Sequence, residues 1–272
     1  MTKNSWRLII HGKNDQFYNM AVDEAIAKTT GEKHLFPTLR FYQWNPATLS
    51  LGYFQKFKTE INYEFCKLNN IGVVRRITGG RAVLHDDEIT YSVCIPADNP
   101  LYEKNLIDSY KLIAEALAEG LAILGLNPQF NYKKLPDVHS SSACFDAPSL
   151  YEITVNGKKI IGSAQKRFQN VFLQHGSIPF TIDSEKLFNC FKFENSELKN
   201  RLKNNFKKIA TGINQEKGES VSIEKAINAF IAGFTNKFNI EFFQDDISQI
   251  EKKLIDETLY KKYASSEWLE KF

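Results

Sequence analysis

The amino-acid sequence predicts a mixed α+β fold, in which α-helices flank largely antiparallel or mixed β-sheets and the chain ends in a helical segment. Three observations lead to this prediction. Short runs rich in β-branched and aromatic residues recur through the first two thirds of the chain, one long stretch has the apolar spacing of an amphipathic helix, and the last third is helical in pattern. The length of 272 residues suits one large domain, or one domain with a small helical appendage.

Strand-like runs dominate the first hundred residues. SWRLIIHG is predicted to be the first strand, and NMAVDEAIAKTT a helix for which Asn19 is available as the N-cap. Four further runs predict strands because β-branched and aromatic residues predominate in them: TLRFYQW, TLSLGYF, VVRRI and EITYSVCI.

Helices are predicted in the middle and at the end of the chain. LIDSYKLIAEALAEGLAILG repeats apolar residues at intervals of three and four and has Gly125 near its end. Helical patterns return in SEKLFNCF, in SIEKAINAFIAGFTNKF with Ser222 and Glu224 as a candidate cap, and in ISQIEKKLIDETLYKKY. These patterns predict a helical segment over about 220–272.

A β-hairpin is predicted in YEITVNGKKIIGSA, because Asn156-Gly157 lies between two strand-like runs. A two-residue loop places Thr154 opposite Lys159. It also gives the hairpin an apolar face and a more polar face that carries Glu152, Thr154, Lys159 and Ile161. Periodicity alone does not choose between Lys158 and Lys159 as a functional lysine.

Composition and charge exclude several classes of protein. The hydrophobic and charged fractions, 43% and 25%, are those of an ordinary globular protein, and the first fifteen residues contain no apolar run long enough for a signal peptide or a membrane span. We therefore predict a cytoplasmic protein. The net charge of +3 is too mild to indicate nucleic-acid binding, and RLKNNFKK is read as a solvated helix face. The four cysteines lack the C-x-x-C spacing of a zinc site and are predicted to be free thiols.

Cys144 differs from the other cysteines in its surroundings. SSACFDAPS surrounds it with small hydroxyl residues and an Asp-Ala-Pro turn, which predicts an irregular, accessible loop where a reactive thiol is more plausible than a buried one. Cys66, Cys94 and Cys190 lie in apolar or amphipathic patterns and are interpreted as structural.

The loop in VVRRITGGRAVLHDDEITYS is the second stretch that packing alone does not explain. Gly79-Gly80 permits positive φ and close backbone approach, so it is either a ligand-binding loop or an ordinary turn between strands. It matches neither the phosphate-loop pattern nor the dinucleotide-binding pattern. His85, which is followed by three acidic residues, is either catalytic or a structural histidine bonded to backbone.

Four motifs, in this order and at this spacing, resemble one family. RRITGGRAVLHDDEITYS, SSACFDAPS, GKKIIGSAQ and FLQHGSI are together similar to the LipM-type octanoyltransferases of the biotin/lipoate protein ligase superfamily. The resemblance extends from SWRLI and YNMAVDEA near the start to KYASSEW near the end, so it covers nearly the whole chain and implies a single catalytic domain over residues 1–272.

The resemblance implies an enzyme that moves an octanoyl group from acyl carrier protein to a lysine of a lipoyl-accepting protein, typically the glycine-cleavage H protein. It implies that Cys144 is the nucleophile that carries the acyl group as a thioester, and that Lys159 lowers the pKa of this thiol. No ATP and no metal are expected, since the octanoyl group arrives on phosphopantetheine, and we expect a monomer. The residues expected to contact substrate are Arg75, Arg76, Gly79, Gly80, His85, Gly162, Ser163 and His175.

Elementary electrostatics supports a cysteine and lysine pair. A thiol with a pKa near 8.5 is only slightly ionised at neutral pH, and lowering that pKa by about two units requires ~2.7 kcal/mol. Two charges ~4 Å apart supply ~4 kcal/mol at an effective dielectric constant of 20, but only ~1 kcal/mol in bulk water. We therefore expect Lys159 and Cys144 to meet in a sheltered cleft.

Four other functions are considered. An ATP-dependent lipoate–protein ligase shares the fold and the lysine, but such ligases usually continue GGG or GGA where this chain has Gly79-Gly80-Arg81, and they do not need a cysteine at 144. An octanoyl amidotransferase differs in the loop after Gly80. A cysteine hydrolase would require His85, His139 or His175 as the partner of Cys144, and a binding module would form no covalent adduct.

Overall fold

The computed structural model describes residues 4–33, 35–131 and 152–272. Cys144 and the whole SSACFDAPS motif, together with His139, lie outside the described residues. The predicted mixed α+β fold is confirmed, with two sheets that carry helices on their faces. None of the helices described below combines the length and apolar composition required to span a lipid bilayer.

A large mixed sheet and a small one form the framework. The strands are β1 (Ser5–Asn14), β2 (Thr38–Trp44), β3 (Thr48–Leu51), β4 (Gly72–Arg75), β5 (Val83–His85), β6 (Glu88–Pro96), β7 (Pro128–Asn131), β8 (Glu152–Val155), β9 (Lys158–Arg167), β10 (Val171–Pro179) and β11 (Glu241–Gln244). The large sheet has the order β11-β1-β2-β6-β10-β9-β8-β7, and the small sheet has the order β4-β3-β5. In the large sheet β1 is parallel to β11 and to β2, while the pairs from β2 to β7 are antiparallel.

Helices pack on both faces of the large sheet and against the small sheet. They are α1 (Gln16–Lys33), α2 (Phe57–Glu60), α3 (Tyr63–Leu68), α4 (Pro100–Glu103), α5 (Leu106–Ile123), α6 (Ser184–Asn189), α7 (Ser196–Ile209), α8 (Ile213–Lys217), α9 (Ile223–Phe238), α10 (Gln249–Leu254), α11 (Tyr260–Ala264) and α12 (Ser266–Leu269), with a π-helical turn at Ile255–Leu259. One hydrophobic cluster joins α5 and α9 to the sheet, a second joins α1 and the helices after β11 to the opposite face, and a third fills the small sheet.

The contact between α5 and α9 explains two glycines inside helices. A Cβ at Gly233 would lie 2.4 Å from the backbone oxygen of Ala116, and a Cβ at Gly120 would lie 2.4 Å from the ring of Phe230. Only glycine allows the two helices to approach this closely, which offsets its low helix propensity.

Several predicted elements are confirmed. The helix predicted from LIDSYKLIAEALAEGLAILG is α5, which Asn105 caps and which is followed by Gly125 at φ +83°. Ser222 caps α9 by accepting a hydrogen bond from the backbone N–H of Lys225. The hairpin turn is formed by Asn156 and Gly157, both at positive φ, and Thr154 is opposite Lys159.

Three local predictions are wrong. Helix α1 begins at Gln16, and the carboxylate of Asp15, instead of Asn19, accepts the backbone N–H bonds of its first turn. Ile161 does not share the polar face of the hairpin: a register shift next to Ile153 places it in the apolar core opposite that residue.

The third wrong prediction concerns the end of the chain. The region 220–272 is not helical throughout, because β11 interrupts it and pairs in parallel with β1. This strand forms the edge of the large sheet next to the N-terminal strand.

Candidate functional site

A pocket lies between the two sheets, and five of the predicted substrate-binding residues line it. They are Arg76, His85, Gly162, Ser163 and His175. They come from the loop after β4, from β5, and from the neighbouring strands β9 and β10. The pocket is a narrow cleft that is open on one side.

The wall contributed by α1, β2 and β5 is largely apolar. Met20, Tyr42, Trp44 and Val83 line it, and the ring of His85 stacks on Trp44 with centroids 4.3 Å apart. Binding sites of this kind combine an apolar lining with a few fixed polar groups. This wall therefore suits an aliphatic chain.

Two glycine-containing strands form the opposite wall. A Cβ at Gly176 would lie 2.4 Å from the carbonyl oxygen of Gly162 and 2.8 Å from the Ser163 hydroxyl. The Ser163 hydroxyl accepts a hydrogen bond of 2.7 Å from the Tyr91 hydroxyl. The close approach of β9 and β10 therefore depends on glycine at this point.

His85 is held by side chains rather than by the backbone. Its Nε2 lies 2.8 Å from the Ser50 hydroxyl, and its Nδ1 lies 3.3 Å from the Thr90 hydroxyl. Glu88 accepts hydrogen bonds from the hydroxyls of Thr90 and Ser177, at 2.6 and 2.5 Å. These groups satisfy one another, so they can lie beside an apolar ligand without a large desolvation cost.

His175 belongs to a buried network centred on Asp23. Its Nδ1 lies 3.0 Å from Asp23 Oδ2, and its Nε2 lies 2.6 Å from the Thr78 hydroxyl. Asp23 also accepts hydrogen bonds from Arg40, Tyr42 and Ser92.

The protonation states in this network follow from its charges. Burial lowers the pKa of His175, although the neighbouring Asp23 carboxylate raises it. Burial raises the pKa of Asp23, but the hydrogen bond from His175 and the charge of Arg40 bring it below its ordinary value. The arrangement therefore favours a neutral His175 that donates from Nδ1 to a charged Asp23 and accepts from Thr78 at Nε2.

Arg76 fixes the Gly-Gly loop. Its guanidinium donates to the carbonyl oxygens of Gly79 and Arg81, both at 2.8 Å, and to that of Ser50 at 2.9 Å. Gly80 has φ +92°, a conformation that favours glycine. The loop is thereby held beside the pocket, and its predicted contact with substrate stays a prediction.

Arg75 departs from the expectation that it lines the pocket. Its buried guanidinium donates to the carbonyl oxygens of Gly52, Tyr53 and Gln55, and to those of Trp268 and Leu269. Consecutive strand residues point to opposite sides of a sheet, so the side chains of Arg75 and Arg76 contact different parts of the protein. Arg75 holds the C-terminal helix α12 against the loop after β3.

Lys159 lies on the polar face of the hairpin and is sheltered. Its side chain is 6% exposed, and its Nζ forms an ion pair of 3.0 Å with Glu152 Oε1. Lys158, by contrast, is 40% exposed and faces Glu216 at 3.5 Å. The structure thus distinguishes the two lysines that periodicity leaves open, while the meeting of Lys159 with Cys144 stays a prediction.

Some residues of the site were missed by sequence reasoning. The sequence does not single out Asp23, Arg40, Trp44 or Glu88, although all four belong to networks of buried, hydrogen-bonded side chains around the pocket. A signal exists in α1, where Asn19, Asp23 and Glu24 are polar residues among the apolar positions Met20–Ala27 of a buried helix. Within the described residues, no cluster of three or more potential metal ligands occurs, and Cys66, Cys94 and Cys190 are buried.

Comparison with known proteins identifies the family. Residues 15–235 match the family described as Lipoyl protein ligase A/B catalytic domain. The chain is 44% identical over 270 residues to Octanoyltransferase LipM of Clostridioides difficile (strain 630), with 98% of this chain and 99% of that protein covered. It is 42% identical over 274 residues to Octanoyltransferase LipM of Bacillus subtilis (strain 168), with the same coverage.

Solved structures give the same fold. A bipartite lipoate protein ligase with its E2 lipoyl domain from Thermoplasma acidophilum superposes with a TM-score of 0.84 at 25% identity, covering 100% of this chain and 98% of that one. Lipoate-protein ligase A bound with ATP superposes with a TM-score of 0.79 at 27% identity, covering 98% of each chain.

The chain therefore belongs to the lipoyl protein ligase A/B catalytic domain family. Within that family the resemblance to LipM-type octanoyltransferases is confirmed over nearly the full length. The protein is an acyltransferase that transfers octanoyl groups in lipoate biosynthesis.

Proposed function

We propose that the enzyme takes octanoyl from octanoyl-acyl carrier protein, holds it as a thioester on Cys144, and passes it to a lysine of a lipoyl-accepting protein, the glycine-cleavage H protein. The observation that carries this proposal is the full-length similarity to octanoyltransferases together with a sequence that has a cysteine at 144. The bipartite T. acidophilum ligase, whose structure was solved with its E2 lipoyl domain, supports a lipoyl domain as acceptor. We take the enzyme to act as a cytoplasmic monomer.

The reaction proceeds in two acyl transfers. The Cys144 thiol loses its proton and the thiolate attacks the carbonyl carbon of the donor thioester. The bond from that carbon to the carrier sulfur breaks, and the carrier sulfur leaves as a thiolate that takes up a proton. The amine of the acceptor lysine then attacks the enzyme thioester. An amide forms as the bond from the carbonyl carbon to the Cys144 sulfur breaks, and the proton that the amine loses regenerates the Cys144 thiol.

Lys159 is the residue that favours the thiolate in this proposal. Its ammonium is buried, so its interaction with a nearby thiolate is weakly screened. Glu152 at 3.0 Å opposes that effect and at the same time fixes the position of the ammonium. The sulfur must therefore lie nearer to Nζ than to the Glu152 carboxylate for the pair to lower its pKa.

The pocket would receive the octanoyl chain. Its apolar wall of Met20, Trp44 and Val83 matches an aliphatic chain, and the hydroxyls around it are mutually hydrogen-bonded. Since the donor is already a thioester, neither ATP nor a metal is needed to activate the acyl group.

The second candidate function is that of an ATP-dependent ligase. It is favoured by the structural similarity to a lipoate-protein ligase bound with ATP. A ligase would activate free octanoate as an adenylate and would tolerate loss of the cysteine. Gly79-Gly80-Arg81 and Cys144 both favour the transferase.

Intact-mass measurement tests the proposal. Wild type and Cys144→Ser are mixed with octanoyl-acyl carrier protein without ATP, and apo H protein is added afterwards. Wild type should gain one octanoyl group that hydroxylamine removes and that apo H protein discharges onto its lysine. Cys144→Ser should gain none, or only a slow ester.

Other outcomes identify the rival functions. Octanoylation of the acceptor only with free octanoate and ATP would identify a ligase. Release of free octanoate from wild type in place of transfer would identify a hydrolase. Use of octanoyl-H protein as the donor, with no use of the carrier protein, would identify an amidotransferase, and binding without any adduct would identify a non-enzymatic module.

A further inference from the structure

We infer that an exposed surface beside the pocket is the docking site for the phosphate-bearing acyl carrier protein, an inference that rests on the proposed function for the identity of the donor. We call it the aromatic–lysine surface. It consists of Tyr53, Phe54, Lys166, Trp268, Lys271 and Phe272.

The apolar part of this surface is unusually exposed. Phe54 is 72% and Phe272 43% exposed, and their ring centroids are 5.6 Å apart. Tyr53 joins them, with centroid distances of 4.9 Å to Phe54 and 5.3 Å to Phe272. Clustered exposed aromatic rings are typical of a protein interaction site, whereas single exposed apolar residues are not informative.

Two lysines give the surface a positive charge. Lys271 Nζ donates to the Tyr53 hydroxyl at 2.8 Å, and Lys166 Nζ lies 5.2 Å from the centroid of the Tyr53 ring. Neither lysine forms an ion pair with a carboxylate among the described residues. Their charges are thus available to an anion that arrives from solvent.

The neighbouring carboxylates do not cancel this charge. Glu24 pairs with Lys28 and Lys262, and Glu270 pairs with Lys58 at 2.9 Å. Glu267 is exposed in α12 but makes no ion pair with Lys166 or Lys271.

The aromatic–lysine surface is continuous with the pocket. Lys166 follows Ala164, which lines the pocket, by two residues on β9, so both point to the same face of the sheet. The backbone N–H of Tyr53 donates to Thr78 at 2.9 Å, and Gly52 packs against Gly80 in the Gly-Gly loop. The surface therefore begins at the pocket, so a phosphopantetheine arm could extend across it from an acyl group in the pocket.

Charge complementarity selects the donor over the acceptor. The octanoyl group of the donor is attached to phosphopantetheine, whose phosphodiester is an anion that lysine ammonium groups bind. The acceptor instead presents a lysine, which two uncompensated lysines would repel. The exposed rings would contact the carrier protein around its phosphodiester.

The test compares two donors. The variants are Lys166→Gln/Lys271→Gln and Phe54→Ser, and the measured quantity is the rate of octanoyl loading onto the enzyme. With octanoyl-acyl carrier protein at low concentration, we expect about a tenfold loss for the double variant and a weaker dependence on salt. With octanoyl-N-acetylcysteamine, a thioester without phosphate or protein, the rate should equal that of wild type.

Matched controls are available elsewhere on the surface. Lys207→Gln/Lys208→Gln removes two exposed lysines from α7, and Leu68→Ser removes an apolar side chain that is 86% exposed. Both controls should load from the carrier protein at the wild-type rate. The inference would be overturned if the test variants lost loading rate equally with both donors. It would also be overturned if they loaded from the carrier protein at the wild-type rate.

A binding measurement separates this inference from the proposed function. Holo-acyl carrier protein, which carries phosphopantetheine, should bind wild type more tightly than the double variant by about tenfold, whether or not an adduct forms. If wild type forms no adduct while this difference remains, the transfer chemistry fails and the docking surface stands. If the two bind equally, or if the variants lose only transfer to the acceptor, the docking assignment fails.

Discussion

Lys159 and Glu152 form a buried ion pair in which the carboxylate both fixes the position of the ammonium and opposes its charge. The pair is nearly enclosed, with side-chain exposures of 6% and 8%, so each charge acts strongly on its neighbours. A thiolate close to Lys159 would gain from its ammonium and lose from the Glu152 carboxylate. Removing Lys159 and removing Glu152 should therefore change the pKa of a nearby thiol in opposite directions.

This contrast gives a prediction for thiol reactivity. Lys159→Ala should raise the pH at which Cys144 is alkylated by iodoacetamide by about one to two units, and Glu152→Gln should lower it. The exposed neighbour provides the control, since Lys158→Ala should leave the profile unchanged. An unchanged profile for Lys159→Ala would show that another group ionises the thiol.

His175 makes the stability of the folded protein depend on pH. Because burial lowers its pKa in the folded protein, the unfolded chain binds a proton more readily than the folded chain below the ordinary value of 6.5. The contribution of neutral His175 to the free energy of unfolding is therefore complete above pH 6.5. It is lost as the pH falls toward the pKa of His175 in the folded protein. His11, whose pKa is lowered by burial and by Arg40, acts in the same direction.

Urea unfolding can measure this dependence. We expect the free energy of unfolding of wild type to fall as the pH decreases from about 7 to about 5.5, above the range in which carboxylates titrate. His175→Gln should show a shallower slope even where it is less stable overall, and His11→Gln measures the share of the other histidine. Identical slopes for wild type and His175→Gln would assign the dependence to other groups.

At the scale of elements, the long periodic segments were predictable and the irregular ones were not. The helix at Leu106–Ile123 and the hairpin turn at Asn156-Gly157 follow from local chemistry, namely apolar periodicity and the preference of Asn-Gly for positive φ. The start of α1 was misplaced because Asp15 and Asn19 are both good caps in sequence, and only tertiary structure buries Asn19 beside Arg40. The strand β11 was missed because its pairing partner is at the other end of the chain.

A buried ion pair stabilises the association of the two ends of the chain, where β1 pairs with β11. Arg7 in β1 donates to both oxygens of Glu251 in α10, at 2.9 and 2.6 Å, and Thr29 in α1 donates to the same carboxylate. Three elements from the two ends of the chain therefore share one fully buried carboxylate.

Removing one partner of this pair should be costly. Glu251→Ala leaves Arg7 buried without its anion, and we expect the free energy of unfolding to fall by about 3–5 kcal/mol. Arg7→Met/Glu251→Leu should lose less than the sum of the single variants Arg7→Met and Glu251→Leu, because no uncompensated charge remains. Urea denaturation measures all three, and strict additivity would show that the two side chains do not act as a pair.

At the scale of the whole molecule, the sequence predicted the members of the site better than their arrangement. Arg76 and His85 are both more than 85 positions away from His175 in the sequence, yet all three residues line one pocket between the two sheets. The role of Arg75 could not be predicted, since its neighbours Trp268 and Leu269 lie 193 and 194 positions away. Long-range packing of this kind leaves no local pattern.

Arg75 has a practical consequence for handling the protein. Its guanidinium is a buried junction between the tail at Trp268 and Leu269 and the loop at Gly52 to Gln55, which in turn abuts Gly80. A protease that nicks the chain a few residues before its end would strip carbonyl acceptors from a charge that water does not reach. Such a preparation would look intact on a gel and yet have a disturbed site, so the mass of the C-terminal peptide is worth checking before an inactive batch is attributed to oxidation of Cys144, the proposed nucleophile.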